Sequence, residues 1–140
     1  YILTFICGED SLPLHSQFTV NMDCVRTMAY YAKLGWTVSV PVTDSQDYDL
    51  VVDNGTRLFK VQVKTTKSIS PSGNYIVSLR TIGGNRSGTG KCKDFSENSS
   101  DLLFALTDSG DCYSIPKSEI SAVSSVALGE RYLPYRVTLH

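Results

Sequence analysis

Histidine is nearly absent from this chain, cysteine is sparse and scattered, and long apolar runs are missing. His15 has no chemical context and His140 is the last residue. Cys7, Cys24, Cys92 and Cys112 form no Cys-x-x-Cys pair, which excludes zinc-finger spacing. Thiols spaced this widely read as free cysteines in a reducing, cytoplasmic compartment and not as a disulfide framework. No apolar stretch approaches the roughly 20 residues of a membrane-spanning helix, so no membrane partner is expected. The opening Tyr-Ile-Leu-Thr-Phe-Ile-Cys lacks a basic leader and a small-residue cleavage site, which argues against a signal peptide. A first residue of Tyr1 in place of Met points to a trimmed product or to part of a longer chain. The sequons at Asn54, Asn85 and Asn98 would matter only in a secreted protein.

Acidic residues are missing from one long stretch. Between Arg57 and Lys93 there is no Asp or Glu, while Arg57, Lys60, Lys64, Lys67, Arg80, Arg86, Lys91 and Lys93 supply 8 of the 13 basic residues and a local charge of +8. The whole chain is only −1, because Asp44, Asp47, Asp49 and Asp53 crowd the segment just before. A basic half beside an acidic edge is the polarity expected where cations hold a nucleic-acid backbone and carboxylates hold a divalent ion. Ile82–Lys93 is too glycine-rich for a regular element and does not meet the GxxxxGK[ST] phosphate-loop pattern. It reads as a loop that orders on a phosphate backbone, or else as a plain solvent loop.

The 140 residues suit one domain. Residues 20–34 are expected to form a helix, capped by Thr19 or Asn21 and ended by Gly35, with Met22, Val25, Met28, Ala29 and Ala32 toward a sheet. Strands are expected near 36–42, 48–53, 57–66, 74–80, 101–107 and 111–115, with a short helical turn at Pro116–Ile120. Asn54-Gly55 sits between two apolar and β-branched runs, the strongest short-range hairpin signal. Alternation puts Gln62 and Lys64 on one face of the second strand and Val61 and Val63 on the other, toward a core. Folding back at Asn54-Gly55 brings Asp49 beside Gln62 and Lys64. An acid, an amide oxygen and an amine at one sheet edge suit a divalent-metal and general-base site; the same pattern also describes a surface hairpin with a solvated polar face. Tyr30, Tyr31 and Trp36 read as core or interface aromatics.

Tyr48-Asp49 followed by Gln62-Val63-Lys64 resembles the PD-(D/E)XK nuclease signature in the variant where Gln replaces the second acid, the group related to cyanobacterial group I intron homing endonucleases and to prokaryotic and phage enzymes. The context extends the resemblance over roughly residues 20–138: Asp23 to Gly35-Trp36 as the helix and Gly-aromatic turn, Thr37 to Pro41 as the first strand, then Gly73–Arg80, Asp101–Leu106, Tyr113–Pro116 and Leu128–Val137 in the family's order. The resemblance implies an α/β, restriction-endonuclease-like fold: a mixed sheet (αβββ core) with a flanking helix and additional C-terminal strands, over residues 19–140. Residues 1–18 form a segment of unknown role.

It implies further a metal-dependent endonuclease, homing-type and site-specific, hydrolysing phosphodiesters of double-stranded DNA with Mg2+ or Mn2+, as a homodimer or homotetramer. Asp49, Gln62, Lys64 and Asp23 are the expected catalytic residues, and Asp49, Gln62, Val63 and Asp23 the expected metal set. Asp23 stands where the family has Glu, twelve residues before Gly35, and Met22 stands where the family has Gly; an acid in a helix first turn also suits the macrodipole alone. Lys60, Thr65, Thr66, Lys67, Ser78, Arg80, Arg86, Lys91 and Lys93 are the expected DNA contacts. Because Gln62 and Asp23 depart from the usual acids, the alternatives are a catalytically silent DNA-binding module of the same fold, or an interaction domain of a larger assembly.

Overall fold

A computed structural model describes residues 22–43, 45–82 and 92–139. The expected caps Thr19 and Asn21, residues 1–18, Arg86 and Lys91 lie outside the described residues. Helix α1 spans Met22–Lys33. It ends as its sequence dictates: Gly35, at φ +80°, donates to the Ala32 carbonyl at 2.9 Å, and Trp36 N–H donates to the Tyr31 carbonyl at 3.1 Å. These two bonds satisfy carbonyls that a helix end otherwise leaves open.

The chain then builds β1 (Thr37–Ser39), β2 (Leu50–Asp53) and β3 (Leu58–Thr66) as antiparallel neighbours. Asn54 Oδ1 accepts from the Thr56 and Arg57 backbones, and Asp53 Oδ1 accepts from Gly55 N–H, which folds the turn between β2 and β3. After β3 the chain leaves the sheet for β4 (Ile76–Ser78), β5 (Thr81–Ile82) and β6 (Cys92–Lys93), then a 3₁₀ turn at Phe95–Glu97. It returns as β7 (Leu102–Thr107), parallel to β3, and closes with β8 (Cys112–Pro116), β9 (Ser125–Ala127) and β10 (Arg136–Val137). The main sheet has the order β1-β2-β3-β7-β8-β10. This is the expected mixed sheet with one flanking helix.

Three local expectations change. β4 does not extend the main sheet but pairs with β9 in a second layer, because the main sheet's other face has to be covered too. The stretch Ile82–Lys93 is not loop throughout, since its ends pair as β5 and β6. On α1 the buried residues are Thr27 and Tyr31, while Met22, Val25, Ala29 and Ala32 are exposed. A threonine that returns its hydroxyl to the Asp23 carbonyl at 2.8 Å, and a tyrosine that hydrogen-bonds Ser114 at 2.9 Å, can be buried without an unpaired polar atom, and of the five apolar residues expected toward the sheet Met28 alone packs in the core between α1 and the sheet.

Two cores result. Tyr31, Leu50, Val52, Val61, Phe104 and Leu106 pack between α1 and the sheet, and Tyr31 stacks on Trp36, which stacks on Phe59. Val77, Leu79, Phe95, Leu103, Ala105, Ile115 and Val126 fill the opposite side. β7 is buried on both faces, and its run Leu-Leu-Phe-Ala-Leu is apolar throughout for that reason. β3, its neighbour, instead alternates, with Phe59, Val61 and Val63 under α1 and polar residues facing the second layer.

Gly35→Ala adds a side chain into open space but keeps a left-handed backbone. It is expected to lower stability by about 1 kcal/mol with an unchanged denaturant slope, as read by urea unfolding.

Candidate functional site

The site forms where β2 peels away from β3. Asp49 N–H still donates to the Val61 carbonyl at 2.9 Å, but the next N–H along β3, that of Val63, donates to the Asp49 carboxylate at 2.7 Å. A side chain has taken over the ladder at the strand's end. Gln62, between those two backbone contacts, donates from Nε2 to the same carboxylate oxygen at 3.3 Å. The Asp49 carboxylate thus accepts from the Val63 N–H and from Gln62 Nε2, at the start of one strand and the middle of the other.

Lys64 shares the face of Gln62 and reaches the Arg80 carbonyl at 3.0 Å. Half-burial pushes its ammonium below the ordinary lysine range, and the Asp49 charge opposes that shift. Asp49, Gln62 and Lys64 therefore stand together on one face of the hairpin.

The Gln62 amide oxygen points away from Asp49 and accepts from Asn98 Nδ2 at 2.6 Å. The expected role of Gln62 as an oxygen donor to a cation is not the geometry seen: its nitrogen meets Asp49, and its oxygen is engaged elsewhere. Val63 contributes its N–H to Asp49, while its side chain packs in the helix-side core. Asp23 lies in the first turn of α1, 3.9 Å from Arg26, and lines an open cleft with Thr65, Thr66, Lys67 and the β7–β8 turn. The half-buried Cys24 thiol feels both carboxylates; burial first, then Asp49 and Asp23, push it up to about 11. Among the described residues no three His, Cys, Asp or Glu side chains gather as a metal cluster.

The expected DNA contacts divide. Thr65, Lys67, Ser78 and Arg80 are exposed. Lys60 is exposed beside the Tyr48 ring, and the Thr66 hydroxyl is already donated to the Ile76 carbonyl. Lys93 sits in β6 opposite Thr81. Cys24 and Cys112 are free thiols. Asn98 is only 2% exposed with its amide fully engaged, which removes its sequon from consideration.

Sequence reasoning missed Asn98. It stands in the short connection between the Phe95–Glu97 turn and β7, where an Asn ordinarily reads as turn chemistry. Among the described residues every buried side-chain nitrogen and oxygen has a partner, so a buried amide on β3 had to have one. That requirement was the available signal, and it gave no address.

The sequence model of PD-(D/E)XK endonucleases matches residues 15–131 of this chain. The solved structure of a bacterial homing endonuclease, I-Ssp6803I, is similar at 29% sequence identity, covering 82% of this chain and 84% of its own, with a TM-score of 0.66. No curated protein matches. No helix among the described residues is long and apolar enough to cross a membrane.

A thiol held near pKa 11 is about a thousandth ionised at pH 8. Maleimide labelling at Cys24, followed by peptide mass spectrometry, is expected to be far slower in the folded chain than in urea. Replacing either neighbouring acid, by Asp49→Asn or Asp23→Asn, should speed it several-fold. No acceleration in Asp49→Asn would place the β2 carboxylate too far from α1 to share a site with Asp23.

Proposed function

Since the chain belongs to the PD-(D/E)XK endonuclease family, we propose that it is a metal-dependent DNA endonuclease, homing-type and site-specific, hydrolysing phosphodiesters in double-stranded DNA. The observation that carries the proposal is the convergence of Asp49, Gln62 and Lys64 where β2 leaves β3. Residues 19–140 are taken as the nuclease domain.

Hydrolysis needs an in-line water and relief of the charge that builds on the phosphate. Asp49 is the principal ligand for Mg2+ or Mn2+, with Asp23 and the Val63 backbone as further contributors. The ion, when bound, acidifies a water and neutralises phosphate oxygens. Lys64, whose proton is already loosened by burial, orients or deprotonates the attacking water, or hydrogen-bonds the phosphate. Gln62 holds Asp49 in place and lowers the local negative charge relative to a second carboxylate.

Exposed Lys60, Lys67 and Arg80, with Thr65 and Ser78, hold the DNA backbone on this reading, and Arg86, Lys91 and Lys93 are further proposed contacts from the sequence alone. One such site cuts one strand, so a double-strand break calls for a homodimer or homotetramer. The engagement of the Gln62 oxygen by Asn98 is the observation that favours the second reading, a silent DNA-binding module.

A nicking assay on supercoiled plasmid separates the two readings. The wild-type chain with Mg2+ should cut and lose activity in chelator; a gel shift without any cutting would establish the silent module. Asp49→Ala and Lys64→Ala should each abolish cleavage while leaving the fold and metal-free DNA binding largely intact, and full cleavage by either purified variant would end the assignment. Lys67→Ala and Arg80→Ala should weaken binding to all sequences alike, each lowering the log–log salt slope by about 1.

Gln62→Glu sets a second carboxylate against Asp49 in place of a donated hydrogen bond. The expected result is a fall in thermal stability in chelator, of about 1–3 kcal/mol, recovered when Mg2+ is added. Unchanged stability in chelator would mean that Gln62 does not hold Asp49.

A further inference from the structure

Building on the nuclease reading, we infer that Asn98 is a positioning residue of this site, which fixes the direction of the Gln62 amide and through it the Asp49 carboxylate. An amide side chain can be reversed with little change of shape, so its direction must come from its neighbours. Here it comes from the backbone, whose polarity cannot be reversed. Ser100 N–H, a donor only, points at Asn98 Oδ1 at 2.6 Å. The Asp47 carbonyl, an acceptor only, lies 2.9 Å from Asn98 Nδ2. These two contacts decide which end of the Asn98 amide is which.

The remaining steps follow. Asn98 Nδ2 also meets Gln62 at 2.6 Å, so the Gln62 atom facing it must be the oxygen. Gln62 Nε2 then faces Asp49 and donates to it. Turning either amide over would set oxygen against oxygen or N–H against N–H at hydrogen-bond distance, in a place where Asn98 and Gln62 are only 2% and 5% exposed.

The relay is itself anchored. The Lys117 ammonium holds the Asn98 carbonyl, and the Asp47 carboxylate accepts from Ser99 N–H at 3.1 Å and from the Ser99 hydroxyl. The segment entering β2 and the segment entering β7 are thereby tied together under the hairpin. Asn98 makes its contact with the site through Gln62, so its effect is on the geometry of Asp49.

The test combines a double-mutant cycle with a measurement that needs no cleavage. Asn98→Ala is expected to slow single-turnover cleavage about 10- to 100-fold with KM changed less than about twofold. In a Gln62→Met background the same change should have little further effect. Independent slowing by the full factor in both backgrounds would overturn the proposal, as would an unchanged rate in Asn98→Ala. Separately, the side-chain amide protons of Gln62 in the metal-free wild-type chain should exchange with solvent at least about tenfold more slowly than those of the exposed Gln46, and Asn98→Ala should remove that protection. Exchange of Gln62 at the rate of Gln46 would overturn it. If Asn98→Ala does not fold, the wild-type exchange measurement decides alone. If the wild-type chain cuts no DNA, the nuclease reading fails, while amide exchange still reports whether Asn98 sets Gln62.

Discussion

The hydrogen bond from Val63 N–H to the Asp49 carboxylate is the contact on which the site rests. A strand that diverges from its neighbour exposes a row of unpaired N–H and C=O groups. Here the first of these is taken by an acid, which gains an anchored position, while the backbone gains a charge-assisted acceptor. The consequence is geometric. An acid fixed to the backbone of β3 has a set relation to whatever β3 presents on either side of Val63, and those residues are Gln62 and Lys64.

The position of the site also follows from the covering of the sheet. β7 is closed on both faces by side-chain packing, which leaves no room for an ionised group. β3 is covered by α1 on one face only with apolar residues; its other face meets the second layer through polar contacts, Gln62 to Asn98, Lys64 to the Arg80 carbonyl and Thr66 to the Ile76 carbonyl. Half-buried polar groups of this sort are costly unless each is matched. Matching them fixes their directions, and fixed direction is what a site must have to act on a substrate without reorganising. The same burial that raises the cost of Lys64's charge loosens its proton.

Much of this was legible in the residues. Asn54-Gly55 announced the hairpin, and period-two alternation assigned Gln62 and Lys64 to one face, because both rest on local backbone rules that tertiary packing seldom overrides. Gly35 announced the end of α1 for the same reason. The helix face was misread, since Met22, Val25, Ala29 and Ala32 carry the apolar pattern while Thr27 and Tyr31 carry the packing; both polar tips find partners, one of them Ser114, far along the chain. The departure of β4 from the main sheet was also hidden, because its partner β9 lies far along the chain and pairing across that distance leaves no mark in either segment. Asn98 was illegible for a related reason: its contacts, with Asp47, Gln62 and Ser100, are dictated by where two loops meet.

Replacing an acid by Gln62 changes the charge arithmetic of the proposed reaction. Asp49 and Lys64 are opposite charges within each other's field, and Asp23 has Arg26 beside it at 3.9 Å. On the proposed reading Lys64 and Arg26 offset Asp49 and Asp23, and the Asp49 carboxylate accepts from Val63 N–H and from Gln62 Nε2. On that reading the site avoids the repulsion that a pair of apposed carboxylates would bring. It also offers little net negative charge to a divalent cation. On the proposed reading the missing charge comes from the substrate: a phosphate brought in by the basic stretch from Arg57 to Lys93 supplies the anionic oxygens that position 62 does not. Metal affinity and DNA affinity are then linked, each raising the other by the same factor, as any shared binding equilibrium requires. A nuclease built this way gathers its cation most strongly when DNA is already in place.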